Sequence, residues 1–446
     1  PRLGFNYDML AHRSLVLSGG TGLYTGTIPF VCIVSQASDA GVLQTTYTGG
    51  TVPTFTTDIN EMINQIYPGG FTPGAPVLNQ SITVLDRNLK LPQNWKSSVA
   101  IDAKLPYNIL ASVEAVYSKD VNAVYVANEG IKPGGFYLDA AKYPDHRYIS
   151  SNQAYYSYPM NVYVLKNGGQ SNYFSLSTKI EKNFDFGLDA MVAYTYSNAR
   201  STTDGTSDQL GSAWNADARI LGNNIMDLGY MSYVLPHRLI ASVSYRKEYG
   251  KHFASTVSFF YSGSNQSRYS FQYNTNLNGD YNRGALIYIA KDESEITFVT
   301  NGDYSAEQQN TDFWNFVNQD KYLSSHKGEY ALRNGALLPW INTFDFKFMQ
   351  DFYMNIAGKR NTLQLGLDIM NVGNLLNSNW GNRYRYSMNN FLRITNLNAV
   401  KAGNGSVAPT FNFQKNGTEI LKESFNPDIS YNSTYFLQFS VRYIFN

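Results

Sequence analysis

The chain sets acids and bases at every second position along short apolar runs. Asp345 and Lys347 alternate with Phe344, Phe346 and Phe348, and Gln364 and Asp368 alternate with Leu363, Leu365, Leu367 and Ile369. Glu114, Lys179, Asp189, Arg246 and Arg442 hold the same kind of place in other runs. Two carboxylates held a few ångströms apart could serve as general acid and general base. No spacing here fixes any two of them at such a distance. The pattern favours a hydrated wall, in which the carboxylates pair with Lys347, Arg442, Lys179 or Arg246.

Other candidate chemistry is weaker. Lys291-Asp292-Glu293-Ser294-Glu295 could attract Ca²⁺ but lacks the alternating Asp spacing of a calcium loop, so it reads as a solvated loop. Gly19-Gly20-Thr21-Gly22 follows a strand without dinucleotide-binding spacing and reads as loop geometry. The five histidines are scattered, and Cys32 stands alone, which leaves no disulfide framework and no paired-cysteine site. No nucleophile elbow, zinc-helix motif or phosphate loop occurs. The expectation is a protein that is not an enzyme and has no metal and no cofactor. Lys+Arg 35 against Asp+Glu 34 leaves a formal charge of +1, too little to attract nucleic acid.

Aromatic residues crowd the polar stretches. Tyr155, Tyr156, Tyr158, Tyr269, Phe271, Tyr273 and Tyr281 could stack on a sugar or a peptide. Tyr269, Tyr273 and Tyr281, with Lys327 and Arg333, are the candidate ligand contacts. The competing reading is that Tyr is simply favoured in long β-rich loops, and that Lys327 and Arg333 tie a loop to nearby carbonyls. Trp314 and Trp340 read as loop anchors.

The elements that carry these residues repeat with period two over about ten residues. At the C-terminus Leu437, Phe439, Val441, Tyr443 and Phe445 share one face, and Gln438, Ser440 and Arg442 share the other. Equivalent runs begin at Leu3, Trp95, Ile109, Phe174, Leu188, Leu239, Phe253 and Phe344, and a weaker one starts at Leu15. Tyr117, Tyr196, Tyr245, Tyr443 and Phe445 sit at strand ends, as interfacial girdles do. Short turns fall at Leu10–Ser14, Leu105–Tyr107, Asn183–Phe186, Lys247–Lys251 and Asn355–Arg360. Long polar stretches, roughly 18–95, 128–170, 198–230, 263–340 and 371–433, separate the hairpins. Outer-membrane barrels alternate short inner turns with long outer loops in this way. Five hairpins and the last strand make eleven strands, and the first and last both run inward. The fold class expected is all-β, a transmembrane antiparallel β-barrel with long extracellular loops. Bacterial single-chain barrels have even strand counts, and an open edge cannot sit in hydrocarbon, so further strands are expected to close this sheet. Within the loops, Thr57 reads as the cap of a helix carrying Ile59, Met62, Ile63 and Ile66. A second helix runs through TDFWNFVNQDKYL, with Phe313, Phe316, Val317 and Tyr322 apolar.

Several segments resemble the C-terminal barrel half of Oar-like TonB-dependent outer-membrane transporters, common in Bacteroidetes. They are PRLGFNYD, LSGGTGLYTGTIPF, DKYLSSHKGEYALRNGALLPWINTFDFKFMQDF and GKRNTLQLGLDIMNVGNLLNSNWG. The closing strand resembles the recognition strand for barrel assembly, although Asn446 follows the near-terminal Phe445. The resemblance implies about 22 strands, of which these would be the second half, with a plug in the lumen. An even-numbered strand of such a barrel runs inward, as the strand from Leu3 does. The plug, the TonB-binding box and a carboxypeptidase-regulatory-like domain would lie upstream. The partners implied are outer-membrane lipids, the N-terminal barrel half with its plug, TonB acting through that plug, and envelope lipoproteins. The function implied is TonB-dependent transport across the outer membrane of a Gram-negative bacterium. One alternative is a passive or surface-binding barrel without energy coupling; another is a soluble carbohydrate-binding β-protein.

Overall fold

Strands with one apolar and one polar face need a sheet that meets two different environments. The computed structural model describes residues 1–10, 12–39, 53–69, 81–132, 134–150, 161–204, 207, 209–279, 284–356 and 358–445. Its main element is an antiparallel sheet of eleven long strands paired in sequence order. They are β1 (Arg2–Asp8), β2 (Leu15–Thr25), β3 (Gln93–Leu105), β4 (Ile109–Asp120), β5 (Ser171–Asn183), β6 (Leu188–Ser201), β7 (His237–Tyr249), β8 (Phe253–Asn265), β9 (Trp340–Ile356), β10 (Lys359–Met370) and β11 (Phe436–Phe445). The short strand Gly229–Tyr230 adds to the far end of β6. Every connection at one end of the sheet is a tight turn, and every connection at the other end is long. Tight turns need left-handed backbone, and Tyr107, Asn108, Gly187, Gly250, Lys251 and Gly358 all have positive φ.

Residues opposite one another in register share a face. Phe346 stands opposite Ile369, and Leu365 opposite Val441; one position along, Lys347 meets Asp368 and Gln364 meets Arg442. The apolar face is the open one. Ile180 is 56% exposed, Phe259 52% and Phe439 78%, whereas Ser175, Thr256, Asp351 and Thr362 on the other face are buried. A water-soluble sandwich buries its apolar face. The exposure pattern therefore excludes the soluble carbohydrate-binding alternative and gives the wall an oily outside and a polar inside.

Three expectations are corrected. The Gly19–Gly22 cluster is not a loop. It lies inside β2, which continues to Thr25, so the first long connection starts later than the sequence suggested. Glycines leave nothing to alternate, which hides the strand, while Phe5 stands opposite Gly19 and lays its ring where a side chain would go. A Cβ at Gly19 would come 2.9 Å from that ring and 2.7 Å from the Ser98 carbonyl. Gly19→Val should thus cost about 1–3 kcal/mol through overpacking. The variant should yield less folded barrel in a heat-modifiability gel; unchanged yield would contradict the packing. Second, Trp340 is no loop anchor but the first residue of β9, on its outer face. Third, the cap of the helix at Ile59 is Asp58, whose carboxylate accepts from the Asn60 amide at 2.8 Å, with Thr57 one residue outside.

The long connections build a second body with its own helices. These are α1 (Phe30–Asp39), α2 (Ile59–Ile66), α3 (Leu210–Ala216), α4 (Ala306–Gln319), α5 (Lys321–Ser325), α6 (Val372–Leu376) and α7 (Leu397–Ala402). The helix expected through TDFWNFVNQDKYL is two, because Asp320 ends α4 and caps α5 by accepting from the Leu323 amide at 2.8 Å. Phe313 and Phe316 of α4 meet Phe391 and Phe413 from a later connection. Each such ring pair adds about 0.5–1.5 kcal/mol beyond the area buried. The largest apolar cluster of the described chain is this one, running from Leu138 to Leu421, so the core lies in the loops and not in the sheet.

Candidate functional site

The polar face of the sheet carries an ion-pair network. Lys347 Nζ lies 2.9 Å from Asp368 across β9 and β10. Arg246 of β7 lies 2.8 Å from Asp351 of β9, which also accepts from Gln364 Nε2 at 2.8 Å. Glu248 joins Arg246 at 3.5 Å to Arg360 at 3.7 Å. Lys179 pairs with Glu181 on its own strand at 3.1 Å, and not with a neighbouring strand. Asp345 accepts from the Asn371 backbone amide at 2.7 Å, fixing the start of α6. Glu114 stands opposite Ala100 and Ser177 in register and is exposed; Arg442 is exposed opposite Gln364. Between the ions, hydroxyls bridge strands, as Ser177 does to Thr195 at 3.1 Å and Ser244 to Ser258 at 2.8 Å. The wall so formed can hold water and polar solutes. Among the described residues no three His, Cys, Asp or Glu gather as a metal site requires.

The candidate loop contacts fare differently. Tyr269 is buried, stacked on Tyr386 at 5.2 Å and against Phe271 at 5.1 Å. Tyr273 is buried and stacked on Phe411 at 5.7 Å. Their rings are spent on the loop core and present no face to an incoming ligand. Tyr281 lies outside the described residues, as do Tyr155, Tyr156 and Tyr158. Lys327 hydrogen-bonds the Asn318 side chain at 2.5 Å and lies over the Trp314 ring at 5.2 Å, tying α5 back to α4. Arg333 is buried. It pairs with Asp217 at 3.0 Å and donates to the carbonyls of Thr202, at 3.2 Å, and Ser201. It therefore clamps its loop onto the outer end of β6. Arg219 reaches the same Asp217 at 3.0 Å and the same Thr202 carbonyl at 2.6 Å. In the acidic run, Asp292 caps a short turn, and Glu295 accepts from Tyr288 and the Lys291 amide.

A second buried centre was not anticipated. Asp145 and Arg147 form a fully buried ion pair at 2.8 Å. Tyr330 donates to Asp145 at 3.0 Å, Tyr273 at 3.3 Å, and Arg147 donates to the Leu286 carbonyl at 2.8 Å. Burial, then the Asp145 charge, pushes the Tyr273 and Tyr330 phenols well up, so both stay neutral donors. The only trace in sequence is an acid and a base two residues apart, Asp145 and Arg147.

The model of the outer membrane beta barrel domain family matches residues 1–414 of the chain. The chain belongs to that family. It is an outer-membrane β-barrel protein of a Gram-negative bacterium, its apolar face set in lipid. No curated protein matches it. Among solved structures it is similar to the outer membrane transporter YddB from Escherichia coli, at 10% identity and a TM-score of 0.43. That match covers 99% of this chain and 40% of the other, so the chain spans about two-fifths of that transporter's length.

In this outer-membrane barrel chain the loop clamp has a weak point. Asp227 has a buried carboxylate oxygen without a hydrogen bond, and burial pushes its pKa above the ordinary 3.8 although Arg219 pulls it down. A raised folded pKa means stability present at low pH and lost as pH rises through the folded value. Asp227→Asn should therefore stabilise the loops at neutral pH, by less than about 1 kcal/mol after solvent screening. The gain should vanish below pH 3.8, where the acid is neutral in both states. Denaturant titration read by fluorescence of buried Trp214 tests this; a gain that grows on acidification would contradict it.

Proposed function

We propose that this sheet is the C-terminal half of a TonB-dependent transporter barrel of the Oar-like type, with about eleven more strands and a plug completing it. The supporting observation is an oily-outside, charged-inside sheet with two edges. The edge strands β1 and β11 each have one neighbour, and Leu3, Tyr7, Phe439 and Val441 on them are exposed. Unpaired backbone groups in hydrocarbon cost several kcal/mol each, so the edges call for partners. In this reading the charges near the turn end, Arg246, Glu248, Asp351 and Arg360, face the plug. A ligand binds among the outer loops, an inner-membrane motor pulls on the plug through TonB, and the lumen opens. The wall contributes a polar path and does no covalent chemistry.

The test uses the full-length protein. Immobilised periplasmic domain of TonB should retain it, and deleting the segment ahead of the plug should abolish retention. In planar bilayers it should be silent until mild denaturant displaces the plug. Absence of retention together with a steady open conductance would instead establish the passive barrel.

A further inference from the structure

The outer face of the wall changes chemistry at one level. Climbing β9 away from its turn, the outward residues are Phe348, Phe346 and Phe344, and then Asn342 and Trp340. On β8 the same face passes from Phe259 to Tyr261, whose hydroxyl donates to Asn342 at 2.6 Å. The Trp340 indole donates to the same oxygen at 2.9 Å. Phenyl rings suit acyl chains, whereas indoles, phenols and amides suit the headgroup layer.

At this level the chain after β10 folds against the outside of the wall. Asn371, left-handed at φ 52, turns into α6. A Cβ on Gly373 of that helix would come 3.9 Å from the Phe344 ring and 3.8 Å from Trp380. Leu376 is 76% exposed and Trp380 56%. A cleft of about 610 Å³ opens between helix and wall, with Trp340, Phe344, Trp380 and Tyr384 supplying rings. Asn342 and Asn379 supply amides, while Asn382 lines the cleft with its amide held by Ser378 and Asn374. Asn342 spends its oxygen on Trp340 and Tyr261, which aims and holds its NH₂ as a donor. Arg383 and Arg385 stand exposed on either side of Tyr384.

We propose that this cleft binds the saccharide headgroup of the glycolipid of the outer leaflet, lipopolysaccharide. Ring faces take the C–H faces of a sugar, and amides take its hydroxyls, as concave sites with few convergent polar groups do. The cleft continues the lipid-facing wall upward, so its occupant is the lipid already beside it.

The experiment measures binding of rough lipopolysaccharide to the full-length protein in detergent, with phosphatidylglycerol as competitor. Trp380→Ala and Asn379→Ala change exposed side chains, and heat-modifiability checks that each barrel still folds. Each variant should weaken lipopolysaccharide binding about tenfold, a change of about 1.4 kcal/mol. Phosphatidylglycerol should compete poorly. Unchanged affinity in both variants, or equal competition by phosphatidylglycerol, would overturn the proposal. So would a photo-crosslinker at position 379 that captures a protein in place of glycolipid in intact cells.

Discussion

Leu365→Arg should nearly abolish assembly of the barrel, while Gln364→Arg, one residue away, should leave it largely intact. Leu365 lies midway along β10, 40% exposed, between Gln350 and Val441 in register. In lipid, that side chain points at acyl chains. A guanidinium near the bilayer midplane of a barrel costs about 2–4 kcal/mol, a large share of the stability of any fold. Gln364 points inward, where it donates to Asp351 at 2.8 Å. An arginine there can make the same bond to the same carboxylate in water. Its main penalty is the like charge of Arg442 directly opposite, about 1 kcal/mol or less. The measurement is the fraction of heat-modifiable protein in isolated outer membranes. Equal loss, or equal tolerance, would contradict the facing on which membrane insertion rests.

That facing was legible because a strand writes its two environments into alternate residues. The run from Leu363 to Ile369 shows the signal with no gap and lies wholly within β10. Where side chains are absent the signal fails: β2 carries Gly19, Gly20 and Gly22, and the ring that fills the gap comes from Phe5 on another strand. Turn positions were legible for the complementary reason, since a tight hairpin concentrates its constraint in two or three residues. The loop body was almost opaque. Its contacts join residues far apart in sequence, as Phe271 with Phe391 or Tyr273 with Phe411, and no local period records such a pairing. Aromatic residues were visible as a class, but the side on which each ring was satisfied was not. Arg333 could be read as a loop clamp, yet its partners Asp217 and Thr202 come from the β6–β7 connection.

The loop body matters because it alone gives the outer end a fixed shape, and its most vulnerable point is the Asp145–Arg147 pair. Arg147→Ala should unfold the loops while the sheet survives. Both side chains are fully buried, and removing the cation leaves a carboxylate held by neutral donors alone, the phenols of Tyr273 and Tyr330 and the backbone amide of residue 147 at 3.3 Å. Removing one member of a buried pair costs about 3–5 kcal/mol. The loss should stay in the loops. Arg147 also holds the Leu286 carbonyl and lies under the rings of Tyr273 and Tyr330, so the β4–β5 and β8–β9 connections let go together. The sheet takes its stability from strand pairing and lipid. Limited proteolysis should therefore cut the variant within the 266–339 connection at protease levels that leave the parent intact, while its heat-modifiable band persists. Asp145→Leu combined with Arg147→Met removes both charges and should recover most of the resistance, because a packed apolar pair often matches a buried ionic one. If the single variant resists protease as the parent does, the pair holds nothing together. If the double variant fares worse than the single, its polarity and not its packing organises the loops.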